Sequence, residues 1–481
     1  MYFKGRTVVV LLLMTMVASV LVTLSIGDQI PTSGKRASVS AAAASDRNGL
    51  SAKEESKINA VLGLIETKYF KDIDRDELVD GAVRGMMESL DDPYSVYMEK
   101  DVAKQFSESI EGSFSGIGAE VTLEKGKVVV VAPIKGSPAE KAGLLAKDIV
   151  LSVNGDKLDG LTLNDAVGKI RGPKGTKAKL RIERSGNTQP IDLILVRDDI
   201  DVETVYANLR DDGVGVIEIR QFSLNTADRF KEELAKLEKQ GMKGLVIDVR
   251  NDPGGVLPVV VEIAQQFIPK GETIVQVEDR DGHRDKTTSQ GGGKDYPIAV
   301  LMNKGSASAS EILAGALQER AGATLVGETS YGKGTVQVSY NKTLGDGSLV
   351  KMTIAKWLTP DGNWIHQKGI KPNVEVQPPK LYTVARFSLT DTLRKDMIGE
   401  QIRNAQVMLS GLGYTTQRED GYYNAETEQA VRTFQTDAGL PVTGELDAKT
   451  AGALEQAVVK WIKDNKNDKQ LLEAIKTVSR K

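Results

Sequence analysis

The segment that constrains the fold most is residues 199–385, where short apolar runs alternate with helix-like stretches. Val214–Ile219 and Gly244–Val249 are apolar runs of strand length, and each is followed by a polar or glycine-containing stretch. Ile298–Met302 is a third apolar run, and it leads directly into a segment rich in serine and alanine. The order strand, loop, helix is typical of α/β folds, whose sites lie beyond the carboxyl ends of the strands. The sequence therefore predicts an α/β core inside a mixed α+β, multidomain chain.

With 481 residues the chain is long enough for several domains of roughly 150 residues each. The predicted divisions are an N-terminal apolar segment (1–27), a linker (28–50), a helical region (51–111), a unit of strands and two helices (112–198), the α/β core (199–385), a small helical unit (395–462) and a charged tail (463–481). A capping box, Ser-Ala-Lys-Glu at 51–54, begins the helical region, whose amphipathic helices either pack internally or support a dimer. The charged tail is expected to form a solvated helix.

The N-terminal segment has the pattern of a membrane anchor. Thr7–Ile26 contains no charged residue and follows the basic residues Lys4 and Arg6. About 20 apolar residues cross the roughly 30 Å of a bilayer as a helix, and a basic flank favours the cytoplasmic side. The sequence predicts a single-pass anchor with the rest of the chain outside the cytoplasm. A cleaved signal peptide, followed by secretion, is the alternative.

Composition excludes several kinds of site. The chain has no Cys, so a thiol nucleophile and a Cys-based metal site are impossible. Its two histidines, His283 and His366, do not stand at a metal-ligand spacing, and we expect neither a metal nor a cofactor. The net charge of -3 argues against general nucleic-acid binding. A triad that uses a histidine stays open, because triads assemble in space and not in sequence.

Serine chemistry with a lysine base is the alternative that the residues favour. The segment Gly-Ser-Ala-Ser-Ala-Ser-Glu at 305–311 opens a predicted helix, Ser308–Gln318. A serine hydroxyl needs a base within hydrogen-bond reach, and lysine can serve when burial lowers its pKa. Ser308 stands where helix N–H groups favour a developing oxyanion, and Lys333 lies between Gly332 and Gly334, which permit a close backbone approach.

The other polar residues of the serine segment have ordinary expectations. Ser306 and Ser310 are alternatives as nucleophile, but flanking serines more often cap or pack. Asn303 is expected to be a cap, and Glu311 a surface carboxylate.

A nucleotide site is a rival interpretation of the lysine segment. Residues 327–333 fit the pattern Gly-x-x-x-x-Gly-Lys of a P-loop. The next residue is Gly334, where magnesium binding needs Ser or Thr, and Val336–Ser339 reads as a strand where a P-loop needs a helix. The pattern therefore does not indicate a P-loop.

The unit at 112–198 resembles a PDZ domain, most specifically in the run SPAEKAGLLAKDIVLSVNG. In that family a peptide adds as a strand, and backbone N–H groups of a glycine-rich turn hold its free carboxylate. The resemblance assigns this carboxylate loop to four residues: Gly116, Ile117, Gly118 and Ala119. Because PDZ pockets and Ile117 are apolar, we expect substrates with apolar carboxyl-terminal residues.

The serine segment, the Gly-Lys-Gly-Thr-Val-Gln segment and the upstream PDZ-like unit together are similar to the carboxyl-terminal processing peptidases, or tail-specific proteases. The segments at 248–255 and 359–362 match that family as well. The resemblance implies that Ser308 is the nucleophile, that Lys333 is the base and that Gln337 orients the lysine. It also implies that the oxyanion hole is formed by the N–H groups of Ala309 and of Gly254 or Gly255. Arg171 resembles a family position that couples the PDZ domain to the core.

The unit at 395–462 resembles the peptidoglycan-binding type 1 module, a three-helix fold of exported bacterial proteins. Peptidoglycan is therefore a candidate ligand, and packing or dimerisation is the alternative role. The whole chain reads as an exported, membrane-tethered, homodimeric serine endopeptidase that recognises the free C-terminal tail of protein substrates. The resemblance extends to processing proteases of Gram-positive bacteria, some of which act in sporulation signalling. A non-catalytic scaffold that carries a PDZ domain and a wall-binding module is the other function that fits.

Overall fold

The computed structural model describes residues 49–185, 187 and 189–479. The predicted anchor, Thr7–Ile26, lies outside this range, and so does most of the linker. Among the described helices, none combines the length and the apolar character that a membrane crossing needs. The described residues form two compact units that divide after Gly81.

The first unit is helical. Helix α1, Ala52–Lys68, begins at Ser51, whose hydroxyl accepts the Glu54 N–H while the Glu54 carboxylate accepts the Ser51 N–H. The capping box predicted from the sequence is therefore confirmed. No side chain of α1 is buried within the described structure, and Val61 and Leu64 are exposed. Helix α2 follows at Arg75–Glu88.

The second unit begins at Ala82, within α2, and continues with strand β1, Val96–Met98, and helix α3, Lys100–Glu111. The PDZ-like part then contains the following elements: β2 Ser113–Gly116, β3 Ala119–Glu124, β4 Lys127–Pro133, α4 Pro138–Lys141, β5 Ile149–Val153, β6 Asp156–Lys157, α5 Leu163–Ile170, β7 Lys177–Glu183, β8 Ile191–Val196 and β9 Asp198–Asp201. Its main sheet has the order β3-β4-β5-β7-β8, so β3 is an edge strand, and β2 pairs with β9. Every second residue of β7 is buried, as period-2 alternation requires of a strand with one solvated face.

The protease-like core is the predicted α/β alternation. Its elements are β10 Val205–Leu209, β11 Val214–Ile219, α6 Thr226–Lys239, β12 Gly244–Asp248, α7 Leu257–Ala264, β13 Thr273–Asp279, β14 Arg284–Thr288, β15 Ile298–Met302, α8 Ala309–Ala321, β16 Thr324–Gly327, β17 Thr335–Tyr340, β18 Leu349–Leu358 and β19 Val374–Glu375. The central sheet has the order β10-β11-β12-β15-β16-β19 and is parallel except at β10. All five residues of β15 are buried, because helices cover both faces of the sheet. A second, antiparallel sheet contains β1, β13, β14, β17 and β18.

The C-terminal unit contains three helices, as predicted: α9 Glu400–Gly411, α10 Ala425–Asp437 and α11 Ala448–Lys463. The buried amides of Gln406 and Gln435 tie its loops together, since each amide bonds to backbone groups and to a threonine hydroxyl. These contacts give the unit a core of its own.

The expectation of a solvated tail is wrong. Helix α12, Lys469–Ser479, packs on the face of the central sheet opposite α6 to α8, with Leu471, Ile475 and Val478 against strand residues. These side chains recur at helical spacing, which was the available signal; the charged residues between them form the solvated face.

Candidate active site

The candidate site lies beyond the carboxyl ends of three neighbouring parallel strands, β12, β15 and β16. The loop after β12 carries Gly254 and Gly255, the loop after β15 leads to Ser308, and the loop after β16 carries Lys333. Parallel strands that lie side by side bring the loops at their carboxyl ends together. The sheet order therefore explains why residues far apart in the sequence meet here.

The three serines of the segment have different surroundings. Ser306 is buried, and its hydroxyl donates to the Val249 carbonyl; Ser310 is buried, and its hydroxyl donates to the Asp252 carbonyl. Both therefore hold the β12 loop against the start of α8. Ser308 is only partly buried and lines a groove of about 590 Å³ that Lys333 and Gln337 also line. We call this cavity the serine groove.

The backbone of Ser308 is strained. It is the residue before the first turn of α8 and has φ 55° and ψ -110°, a backbone conformation that residues other than glycine rarely adopt. Its N–H donates to the Glu311 carboxylate at 2.8 Å. The turn presents the side chain at the helix N-terminus, where the N–H groups of the first turn have no intrahelical acceptor.

Lys333 is held by its backbone on both sides. Its N–H donates to Glu311 Oε2 at 2.8 Å, and its carbonyl accepts the Trp357 indole N–H at 2.8 Å. At Gly332 a side chain would meet the backbone of residues 367–369, with the nearest atom, the Gly369 nitrogen, at 2.8 Å. The glycine therefore lets a neighbouring loop approach, which is the close backbone approach that the sequence predicts.

The lysine amine is in a setting that favours its neutral form. Burial lowers the pKa of Lys333, and the positive charge of Lys351 lowers it further, while Glu311 and Asp92 act in the opposite direction. The amine nitrogen lies 5.0 Å from the centre of the Tyr94 ring. Burial and a hydrogen bond that the Tyr94 hydroxyl donates to Tyr331 raise the pKa of Tyr94 to about 12, so this phenol stays neutral. The arrangement can provide a lysine base.

Gln337 lines the serine groove from strand β17. Its amide nitrogen donates to the hydroxyls of Thr335 and Thr353, at 2.9 and 3.0 Å. The two threonines fix the amide, and its oxygen is not used by either bond. The role of Gln337 in orienting Lys333 stays a prediction.

The two candidate glycines of the oxyanion hole differ in what their N–H groups do. The N–H of Gly254 donates to Asp252 Oδ1 at 2.8 Å, and a side chain at Gly254 would lie 2.9 Å from the Ala309 nitrogen and from Ser308 Cβ. Gly255 lies opposite Phe222, whose N–H donates to the Gly254 carbonyl and whose carbonyl accepts the Val256 N–H. The N–H of Gly255 itself has no acceptor among the described residues. The geometry thus leaves the Gly255 N–H available.

Apolar side chains line much of the serine groove: Phe106, Ile110, Leu257, Ile312, Val336 and Val338. Lys351 also lines it, with its amine 5.2 Å from the centre of the Phe106 ring. Burial lowers the pKa of Lys351 as well. The groove therefore suits an extended segment with apolar side chains.

The predicted carboxylate loop lies between β2 and β3. Ile117 packs into the core of the PDZ-like part, and its carbonyl accepts the Ala139 N–H at 2.8 Å. The Gly118 carbonyl accepts the Ser137 hydroxyl at 2.8 Å. Because β3 is an edge strand with α5 near it, the unit has a free edge where a peptide strand can add.

Arg171 joins the PDZ-like part to helix α3. It follows α5 directly, forms an ion pair with Glu108, and its guanidinium lies 4.6 Å from the centre of the Phe114 ring. Glu108 belongs to the same helix as Phe106 and Ile110, which line the serine groove. The ion pair at the end of α5 is therefore connected through helix α3 to the side chains that line the serine groove.

Neither histidine is part of the groove that the structure describes. His366 accepts the Gly334 N–H and stacks on Trp364, with ring centres 5.3 Å apart. His283 lies on an exposed turn near Asp279 and Asp281, and this exposed cluster does not indicate a metal site. The arrangement gives no support to a histidine triad.

Sequence reasoning missed several residues of the site. Glu311 is fully buried, so the expectation of a surface carboxylate is wrong. Its signal was the spacing Ser-x-x-Glu at the start of a helix, which is that of a capping box. Tyr94, Asp92 and Lys351 surround Lys333 from a turn and a strand that carried no motif.

The chain matches four family models. They are "Peptidase family S41" at residues 213–376, "PDZ domain" at 129–184, "Activating protease CtpB N-terminal domain" at 17–102 and "Putative peptidoglycan binding domain" at 398–454. The matches to the peptidase and PDZ models fall on the two parts whose geometry is described above.

Among curated relatives, the chain is 45% identical over 430 residues to the carboxy-terminal processing protease CtpB of Bacillus subtilis (strain 168), which covers 89% of each protein. It is 43% identical over 425 residues to CtpA of the same organism, covering 88% of this chain and 90% of the relative. A solved structure, the photosystem II D1 C-terminal processing protease, is 30% identical, with a TM-score of 0.40 over 66% of this chain and 86% of the other. The identity over nearly the full length of these relatives shows that the chain belongs to the carboxy-terminal processing proteases, which are serine-type peptidases of family S41.

Proposed function

We propose that Ser308 is the nucleophile and Lys333 the general base of an endopeptidase. The observation that carries the proposal is the difference among the three serines: two are buried and bonded to the backbone, and Ser308 alone of the three lines the groove with Lys333. A hydroxyl nucleophile needs such a base, and lysine serves only when its neutral form is populated. The lowered pKa of Lys333 meets that condition.

The proposed reaction is an acyl transfer. The Ser308 hydroxyl attacks the substrate carbonyl carbon, and its proton passes to the neutral amine of Lys333. When the tetrahedral intermediate collapses, the lysine gives that proton to the leaving amine. A water molecule, deprotonated by the same lysine, then attacks the acyl carbon, and the bond to Ser308 breaks as the lysine returns the proton to the Ser308 oxygen.

The oxyanion is proposed to be bound by the N–H groups of Ala309 and Gly255. Ala309 is the first residue of α8, where N–H groups lack an intrahelical acceptor. The Gly255 N–H has no acceptor among the described residues, whereas the Gly254 N–H already donates to Asp252. Gln337 has its amide nitrogen fixed by two threonines, and we propose that its oxygen faces the protonated Lys333 during the reaction.

The PDZ domain is proposed to select substrates by their free carboxyl terminus. The edge strand β3 offers a site for strand addition, and Gly116–Ala119 is the turn beside it. Arg171 and Glu108 give this recognition a route to the groove, since α3 also carries Phe106. The substrates are thus proteins whose unfolded, apolar tails can enter both sites.

The chain is further proposed to be anchored in the membrane by Thr7–Ile26, with its protease part extracytoplasmic and its C-terminal unit near peptidoglycan. A role in regulatory proteolysis, including sporulation signalling, follows from the family resemblance. A homodimer is proposed because α1 exposes Val61 and Leu64 on a helix that buries no side chain in the described structure. Sedimentation of the protein with Leu64→Glu, compared with Glu66→Gln, tests the dimer; an unchanged mass contradicts this interface.

The test of the function uses the purified full-length protein, its Ser308→Ala and Lys333→Ala variants, and Lys304→Ala as an exposed control. The substrate is an unfolded protein with an apolar free C-terminus, compared with the same protein amidated there. We expect cleavage by the wild type and the control only, and slower cleavage of the amidated form. Cleavage that survives in Ser308→Ala or Lys333→Ala contradicts the proposed pair. A wild type that binds the free tail and never cleaves favours the scaffold function.

A further inference from the structure

Glu311 is a buried carboxylate that the proposed chemistry does not use. It stands at the third position of α8, and its side chain is fully buried. Burying a charged carboxylate is unfavourable unless hydrogen bonds compensate its lost hydration. Glu311 has such compensation, because its two oxygens accept four hydrogen bonds, all from neutral donors.

The four donors come from the two loops of the active site. Oε2 accepts the N–H of Ser308 and the N–H of Lys333, both at 2.8 Å. Oε1 accepts the Ser330 hydroxyl at 2.6 Å and the Gly332 N–H at 2.7 Å. A single oxygen atom thus bonds to the backbones of both proposed catalytic residues, although they follow different strands.

The backbone of Ser308 needs a restraint of this kind. Its φ of 55° and ψ of -110° belong to a sparsely populated region, and such a conformation persists only where the surroundings hold it. The hydrogen bond from the Ser308 N–H to Glu311 supplies one restraint. The same bond removes this N–H from the oxyanion hole, which leaves the Ala309 N–H as the donor on the helix.

The carboxylate cannot be replaced by an amide without loss. A glutamine side chain has one acceptor oxygen, and its NH₂ group is a donor. Whichever way the amide turns, its NH₂ group faces the Gly332 N–H or the N–H groups of Ser308 and Lys333. Donor then meets donor in a buried site, and the loops must separate.

We propose that Glu311 is a positioning residue that fixes the Ser308 and Lys333 backbones relative to each other for proton transfer. The inference rests on the proposed roles of Ser308 and Lys333. Glu311 acts through these two residues and does not exchange a proton in the reaction.

The experiment measures kcat and KM of full-length Glu311→Gln across pH. A misplacement of about 1 Å costs roughly 100-fold in rate, so we expect kcat to fall about that much with little change in KM. The charges that face Lys333 come from Glu311, from Asp92 and from Lys351. Since the negative charge of Glu311 favours protonated Lys333, its removal should move the acidic limb of the rate profile to lower pH. A change in folding alone does not move that limb.

Two variants keep the result decisive. Glu319→Gln makes the same change on the same helix and should leave the profile unchanged, because among the described residues the Glu319 carboxylate accepts only the Asp361 N–H. Ser330→Ala removes one donor to Glu311 without changing its charge and should lower kcat several-fold; it decides the question if Glu311→Gln does not fold. Wild-type kcat in Glu311→Gln, or in Ser330→Ala when the first variant does not fold, overturns the positioning role. Cleavage by Ser308→Ala would instead overturn the proposed catalytic pair.

Discussion

The carboxylate of Asp252 accepts the N–H of Gly254 at 2.8 Å through one oxygen, while its other oxygen is buried without a hydrogen-bond partner among the described residues. Burial raises the pKa of Asp252 to about 8, and the hydrogen bond from the Gly254 N–H lowers it only in part. The raised pKa favours the neutral acid in the folded protein. It holds the loop that carries both oxyanion candidates.

Asp252→Asn should make stability less dependent on pH. An unfolded aspartate has a pKa of about 3.9, so between about pH 4 and pH 8 the folded wild type holds a proton that the unfolded chain has lost. The wild type therefore loses stability as pH rises through this window, and the asparagine variant does not. We expect equal stability near pH 4 and an advantage for Asp252→Asn that grows by about 1.4 kcal/mol per pH unit, to roughly 5 kcal/mol above pH 8. Urea unfolding of both proteins across this range measures it, and a difference that stays constant with pH contradicts the assignment.

Lys351→Met should move the acidic limb of the pH–rate profile upward. The charge of Lys351 lowers the pKa of Lys333, so its removal raises that pKa and leaves less neutral lysine at neutral pH. Methionine keeps the apolar stem against Phe106. The rate near pH 7 should fall several-fold and recover at higher pH. Lys304→Met, at an exposed lysine paired with Glu328, is the control. A limb that stays in place or moves downward contradicts this role.

Periodicity and local motifs predict the parts of this fold that depend on nearby residues. The run Ile298–Met302 is a strand with the bounds that the sequence indicates, because its apolar residues alone determine them. The helix after the serine segment begins at Ala309 and not at Ser308, since the strained Ser308 lies outside helical geometry.

The burial of Glu311 depends on distant residues, and the sequence could not reveal it. Its neighbours in the helix allow either a solvated or a buried carboxylate. The loop after β16 decides between them, because Ser330 and Gly332, 19 and 21 residues further along the chain, donate to the carboxylate. Lys351 likewise reaches the site only through the pairing of β17 with β18.

The strain at Ser308 predicts an unusual order of stability. Both Ser308→Gly and Ser308→Ala remove the hydroxyl, but only glycine adopts a φ of 55° without steric cost. We expect Ser308→Gly to be more stable than Ser308→Ala by about 1 kcal/mol, with both inactive. At Ser310, inside α8, the order should be reversed by about 0.5–1 kcal/mol. Thermal unfolding of the four variants measures both orders, and the same order at the two positions contradicts the strain.

Arg250 attaches the C-terminal helix to the protease core. Its guanidinium bonds to Asp248 at the end of β12 and to Asp468 just before α12, and all three side chains are largely buried. Arg250→Met leaves two neighbouring carboxylates without a counter-charge, so the free energy of unfolding should fall by about 3–5 kcal/mol. Arg220→Met, at an exposed ion pair with Glu218, should cost less than about 1 kcal/mol.

Hydrogen exchange locates the effect of Arg250→Met within the molecule. If Arg250 holds α12 in place, the amides of Lys469–Ser479 should lose protection before those of β15, because the helix can detach while the sheet persists. Detachment exposes the apolar face that Leu471 and Ile475 cover, so the variant should also bind a hydrophobic dye. Unchanged protection of α12 would show that apolar contacts alone hold it. The helix and the sheet would then contribute to stability independently of the ion pairs.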